Sequence, residues 1–152
     1  MELIAERGRE RYERIIIPHA DGFAPPYAGA CTCLLWDARG HASDGERARL
    51  ARKLVDSGRA YTVCGGAECE AWHDAVDEAL IGPEPESAEP DDLGMMTTWH
   101  DGESASEVAA FFVHAAVLPG GAPSHHLVLL IGDDADRREE LAAAVRESLR
   151  SG

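Results

Sequence analysis

The sequence predicts an α/β fold, a three-layer α/β/α sandwich around a mostly parallel, five-stranded sheet of the Rossmann-like (flavodoxin-like) kind. From residue 30 onward, short apolar runs typical of buried strands alternate with segments whose apolar residues recur at helical spacing. Such alternation implies parallel strands joined by right-handed crossovers, with helices on both faces of the sheet. We expect one domain over residues 1–152, because neither half of the chain has enough strands for a sheet of its own.

The N-terminal part of the chain is the least regular. Residues 1–14 are charged and weakly periodic, so we expect an arm or a short helix there. Residues 14–18 form a first strand that a proline ends, and residues 19–29 form a loop rich in proline and glycine. Because no crossover helix fits in that loop, the first strand joins as an edge strand, and an antiparallel direction is open to it. Residues 30–36 form a second strand, apolar along nearly its whole length.

The middle of the chain follows a strand–helix rhythm. Ser43 and Glu46 match a capping box, so a helix begins there, and Gly58 is a suitable residue to end it. Residues 60–64 form the third strand. A glycine turn then leads into a helix over residues 68–81, whose apolar stripe faces the core.

The C-terminal part repeats the pattern. Residues 82–94 are acidic and rich in proline, which predicts an exposed loop and not a domain boundary. Residues 95–99 form the fourth strand, and Ser104 with Glu107 forms a second capping box. Residues 126–131 form the fifth and most hydrophobic strand, and an acidic turn opens the last helix after it.

Charge and hydropathy exclude several classes of function. The net charge is −14, with 14 basic against 28 acidic residues, so the chain lacks the basic face that nucleic acids or anionic membranes require. No apolar run approaches the roughly 18 residues of a membrane helix, and the start of the chain has no signal-peptide pattern, so we expect a cytoplasmic protein. A protein partner with a basic surface and a small ligand both stay open.

The predicted topology gathers polar residues at one edge of the sheet. Open parallel sheets bind ligands outside the carboxyl ends of their strands. At that edge this chain places Asp37 and His41, residues 64–69, His100 with Asp101, and Asp133 with Asp134.

The sharpest candidate within this set is Cys69. It lies in the first turn of its helix, where the dipole should lower the thiol pKa. His73 and Asp77 follow at i+4 and i+8 in one column, so His73 is placed to act as base, and His100 could supply a second imidazole. The carboxylates that could orient the two histidines are Asp74, Asp77 and Asp101. The alternative is a half-buried cysteine beside a structural histidine, since short Cys-x-x-x-His pairs are common by chance.

A metal site would use the same side chains. Cys69, His73, Asp77 and His100 are of the types that bind zinc or another divalent metal. The spacing lacks the paired Cys-x2-Cys of structural zinc sites, so no cofactor is predicted. Cys31 and Cys33 point to one face of a strand without a nearby histidine, and we expect both in the core.

Two other features have both a functional and a structural interpretation. Gly65 and Gly66 could admit a phosphate to the helix N-terminus, but two glycines alone are no phosphate-binding motif and the glutamates nearby would repel an anion. Trp36, Trp72 and Trp99 could stack on a ligand, but we expect them in the core.

Two segments together resemble a known family. Cys69-Glu-Ala-Trp-His-Asp-Ala-Val-Asp77 and Met96-Thr-Thr-Trp-His-Asp101 are similar to parts of an uncharacterised family of small bacterial proteins known only as a domain of unknown function. The resemblance covers about residues 30–132. It implies no activity, but it pairs the two Trp-His-Asp segments, which the predicted fold places at the same edge.

These observations favour a small acidic bacterial protein that acts as a non-catalytic binding or accessory module for a protein partner. The alternative is a small thiol- or metal-dependent enzyme that uses Cys69, His73, His100 and Asp101 at the carboxyl edge of the sheet.

Overall fold

A computed structural model describes residues 1–27, 29–81, 96–116 and 124–151. The loop predicted over residues 82–94 lies outside these ranges. The described strands are β1 (Glu2–Arg7), β2 (Glu10–Ile17), β3 (Cys31–Asp37), β4 (Arg59–Gly66), β5 (Met96–Trp99) and β6 (His125–Ile131). The described α-helices are α1 (Asp44–Asp56), α2 (Cys69–Ile81), α3 (Ala105–His114) and α4 (Ala135–Ser151). A short 3-10 helix covers Ala20–Gly22.

The strands form one sheet in the order β1-β2-β6-β3-β4-β5. Every neighbouring pair from β2 to β5 is parallel, and β1 alone runs antiparallel, against β2. The predicted α/β fold with a mostly parallel sheet is therefore confirmed. Its strand number was wrong, because the described sheet has six strands and not five.

The sixth strand comes from the segment predicted to be a helix or an arm. Residues 1–14 instead form most of a hairpin, and Gly8 provides the positive φ of 61° in its turn. Charged residues hide the two-residue period: Ile4 and Tyr12 face the core, while Arg14 on β2 pairs with Glu2 on β1 at 3.0 Å. β2 is also not an edge strand, since it lies between β1 and β6.

Helices cover both faces of the sheet, which gives three layers. α1 and α2 pack side by side on one face, over a core that includes Leu35, Leu54 and Val76. α3 and α4 pack on the other face, over a core that includes Phe112 and Val128. No helix in the described ranges has the length and hydropathy to cross a membrane.

The two predicted capping boxes differ in the structure. Ser104 and Glu107 make both reciprocal hydrogen bonds at the start of α3. Ser43 caps α1 by accepting from the Glu46 N–H, but the Glu46 carboxylate does not reciprocate. It accepts from the Ala20 N–H at 3.1 Å and from Arg39 at 2.8 Å, so it ties α1 to the loop after β2 and to the end of β3.

Candidate functional site

The carboxyl end of β3 is closed by an internal ion-pair network. Asp37 is 1% exposed, and each of its carboxylate oxygens accepts a 3.0 Å hydrogen bond from the Arg39 guanidinium. Arg39 also bonds Glu46, so two carboxylates share one cation, and these hydrogen bonds raise the pKa of Arg39. Burial alone would raise the pKa of Glu46, but the hydrogen bonds from Arg39 and the Ala20 N–H bring it below its usual value. Asp37 and Arg39 thus form a bidentate ion pair at the end of β3.

A cleft of about 380 Å³ opens beside this network, where β3 and β6 end side by side. Its lining residues are Ala38, Arg39, Gly132, Asp133, Asp134, Ala135 and Asp136. Asp134 accepts a hydrogen bond from the Arg137 N–H at 3.0 Å, and acidic residues at a helix start are stabilised by the dipole. Two polar side chains of the cleft therefore already have structural roles, Asp134 at the start of α4 and Arg39 at the end of β3.

The Gly65–Gly66 pair accommodates an indole. A Cβ at Gly65 would lie 2.8 Å from the Trp36 ring, and one at Gly66 would lie 2.7 Å from Trp36 Nε1. Trp36 also lies under the Arg137 guanidinium, 5.0 Å from the ring centroid. Close packing against Trp36 explains the two glycines without a phosphate.

Cys69 lies in the first turn of α2, as predicted, but its side chain is buried. Its exposed fraction is 1%. Burial raises the pKa of the Cys69 thiol, although backbone N–H groups of His100 and Glu70 act in the opposite direction. The prediction of a lowered pKa was wrong, because desolvation of the thiolate outweighs the favourable helix terminus.

The two candidate histidines face different sides of the sheet. The His73 ring lies 4.4 Å from the Trp99 ring, on the side covered by α2, and its two nitrogens lie 3.0 Å from Asp74 and 3.3 Å from Asp77. The His100 ring lies 4.4 Å from Phe111 of α3, on the opposite side. Successive residues of a strand end point to opposite faces, so contact of Trp99 with His73 directs His100 away from it.

His100 is nearly buried and has its own partners. Its nitrogens lie 3.1 Å from the Thr98 hydroxyl and 2.9 Å from the Glu103 carboxylate, while Asp101 is exposed. Across the described part of the chain, no three His, Cys, Asp or Glu residues are arranged to hold a metal ion. The structure thus joins His73 to Trp99 but does not bring the His73 and His100 rings together; catalytic roles for Cys69, His73, His100 and Asp101 stay predictions.

A hydroxyl–imidazole–carboxylate chain lies at the opposite, amino-terminal edge. Thr32 Oγ1 is 2.5 Å from His126 Nδ1, and His126 Nε2 is 2.8 Å from Glu10. The order resembles a nucleophilic triad, but Thr32 is 0% exposed, so a substrate has no access to its hydroxyl. Burial lowers the pKa of His126, which fits a neutral ring that accepts from Thr32 and donates to Glu10. Sequence reasoning missed this chain because its three members come from β2, β3 and β6.

The outer side of α2 has an unusual charge distribution. Glu70, Asp74 and Glu78 recur every four residues with Asp77 beside them, and α2 contains no lysine or arginine. By contrast, α1 carries three acidic and four basic residues, and α4 carries four of each. Among the residues that the structure describes, no lysine or arginine pairs with these four α2 carboxylates. We call Glu70, Asp74, Asp77 and Glu78 the α2 face.

Both flanks of the α2 face are open to solvent. On one flank Trp99 is 45% exposed, whereas Trp36 and Trp72 are 4% and 1% exposed. The prediction that all three tryptophans are core was therefore wrong for Trp99, because the short strand β5 ends the described sheet and leaves the indole uncovered. On the other flank a groove of about 330 Å³ separates α1 from α2. Its lining residues are Asp44, Arg47, Ala48, Ala71, Asp74, Ala75 and Glu78.

Comparison with known proteins gives a family without an activity. The family model described as Domain of unknown function (DUF7684) matches residues 17–148. The chain belongs to this family. The DUF7684 match contains the α2 face, Trp99 and the cleft beside β3, and it begins at the last residue of β2. Searches of curated proteins and of solved structures found no match.

Proposed function

We propose that this DUF7684 protein is a non-catalytic binding module that docks a basic segment of a partner protein on the α2 face. The observation that carries the proposal is the contrast between helices: α2 has four carboxylates and no lysine or arginine, while α1 and α4 contain nearly equal numbers of acidic and basic residues. α2 therefore differs from α1 and α4 in its lack of compensating lysine and arginine and not in the number of its acidic residues.

Repulsion among the carboxylates of the α2 face lowers the stability of the protein when no partner is bound. Like charges at i and i+4, such as Asp74 with Glu70 and with Glu78, destabilise a helix by about 0.2–0.5 kcal/mol per pair. Glu78 also lies in the last turn, where the helix dipole disfavours negative charge. A bound basic segment relieves both terms, and the net charge of −14 would speed its association.

The state of the cysteine supports binding over thiol chemistry. A nucleophilic thiol needs access and a low pKa, whereas Cys69 is buried and its pKa is raised. The α2 face lies on the same helix and is exposed at Glu70, Asp74 and Glu78. The column predicted from the sequence thus borders a surface suited to a macromolecular contact.

Selection of short random peptides displayed on phage tests the proposal while the partner itself is unidentified. The immobilised protein is compared with an α2-neutral variant that carries Glu70→Gln, Asp74→Asn, Asp77→Asn and Glu78→Gln. A matched control, called α4-neutral because its four α4 carboxylates are neutralised, carries Asp136→Asn, Glu139→Gln, Glu140→Gln and Glu147→Gln. Both variants therefore have the same net charge.

We expect peptides rich in basic residues to be enriched on the native protein and on the α4-neutral control, but not on the α2-neutral variant. Equal enrichment on all three proteins would mean that overall charge, and not the α2 face, attracts the peptides. Enrichment of peptides without basic residues, or no enrichment, would also overturn the proposal.

A further inference from the structure

We propose that the α2 face recognises arginine in particular, with one guanidinium that stacks on the exposed Trp99 indole and pairs with the neighbouring Asp77 carboxylate. This inference rests on the proposed function and specifies the chemical group that the partner contributes. It follows from the neighbourhood of Trp99, where aromatic surface and negative charge adjoin on the exposed side of the molecule.

Trp99, His73 and Asp77 contact one another in that order. Trp99 is 45% exposed, and the His73 ring packs 4.4 Å from it at an interplanar angle of 55°. The other side of His73 reaches Asp77, with 3.3 Å between Nε2 and the carboxylate oxygen. An exposed indole thus lies one side chain away from a carboxylate that has no lysine or arginine partner among the described residues.

Guanidinium suits this combination better than ammonium. Its planar, weakly hydrated group stacks on an indole and donates paired hydrogen bonds to a carboxylate, whereas lysine offers a compact, strongly hydrated charge. Both cations would gain from the general negative field of the α2 face. Only arginine would use the Trp99 ring and the neighbouring carboxylate together.

Other occupants fit the charge poorly. A second copy of the chain that docks through the same face would bring the same four carboxylates, and it carries a net charge of −14. A nucleic acid would bring phosphates to a face without basic residues on its helix. A basic protein segment is the occupant whose charge complements this surface.

The test compares fluorescently labelled hexa-arginine and hexalysine peptides by fluorescence anisotropy, which measures affinity without relying on tryptophan emission. On the native protein we expect hexa-arginine to bind roughly three- to tenfold tighter than hexalysine. Trp99→Leu, which keeps an apolar side chain, should weaken hexa-arginine binding more than hexalysine binding and so remove this preference. Trp99→Phe, which keeps an aromatic ring, should retain part of it. Circular dichroism confirms that both variants fold.

The outcomes separate this inference from the proposed function. If both peptides bind the native protein equally but lose affinity for the α2-neutral variant, the arginine site is wrong and the docking face stands. If the preference for arginine survives Trp99→Leu, the indole is not the anchor and the inference is overturned. If the α2-neutral and α4-neutral variants bind both peptides alike, the proposed function fails as well.

Discussion

Reversing one charge at the end of α2 should stabilise the protein. Glu78→Lys converts the repulsion between Asp74 and Glu78 into an attraction with the acid on the favourable, N-terminal side, a change of about 0.4–1 kcal/mol. It also places a cation in the last helical turn, for about 0.3–1 kcal/mol more. Allowing for screening of exposed charges, we expect the free energy of unfolding to rise by about 1 kcal/mol. For a chain of this size the midpoint temperature should then rise by about 2–4 °C.

Glu70→Lys is the matched control, because it makes the same charge change four residues from Asp74 at the other end of the helix. There the cation opposes the dipole and lies N-terminal to its partner, so the two effects nearly cancel, to within about 0.5 kcal/mol. Urea unfolding followed by circular dichroism measures both variants at low and high ionic strength. The reasoning is refuted if Glu78→Lys does not stabilise the protein, or if both variants change stability equally.

Three further predictions concern the rest of the molecule. Cys69 should react with iodoacetamide far more slowly in the native protein than in urea, because its thiol is buried and its pKa is raised. A Cys69→Ser variant isolates its contribution to the labelling, and fast labelling of native Cys69 would contradict its burial. The free energy of unfolding should fall as pH decreases below about 6.5, because burial lowers the folded-state pKa of His126 and the unfolded chain then binds more protons. Denaturant unfolding measured across pH should show a shallower decline for His126→Gln than for the native protein. An identical decline would refute the role of His126. Gly65→Ala should destabilise the fold by about 1–3 kcal/mol, because its Cβ would lie 2.8 Å from the Trp36 ring. Gly22→Ala serves as the control, since a Cβ there would meet no atom within 4 Å. Equal thermal midpoints for the two variants would count against close packing at Gly65.

The parallel part of the sheet could be predicted because its signals are local. β3 is buried at every residue and reads as a near-continuous apolar run, and α2 and α3 show clear apolar stripes. The β1–β2 hairpin could not be predicted in the same way. Its charged residues satisfy each other across strands, so the two-residue period survives only at a few buried positions such as Ile4 and Tyr12.

The sequence predicts which strand ends lie next to each other at the candidate site, but not which face of the sheet each side chain occupies. Topology alone places the ends of β4 and β5 together, and the contact between His73 and Trp99 agrees with that. Whether His100 lies near His73 depends on which face of the sheet its side chain occupies. Trp99 occupies the face covered by α2, so alternation along the strand directs His100 to the opposite face. The burial of Cys69 depends on how deeply α2 packs, which the position of a residue at a helix start does not determine.

The central claim is that the α2 face, and not the cleft where β3 and β6 end, is the surface on which a partner docks. Heteronuclear NMR during titration with a selected basic peptide tests it most directly, through the amide signals of the chain and the indole N–H signal of Trp99. We predict that the largest changes follow α2 and the Trp99 indole, while the amides of Arg39 and Gly132 stay in place. Changes centred on Arg39 and Gly132, with α2 unaffected, would contradict the account.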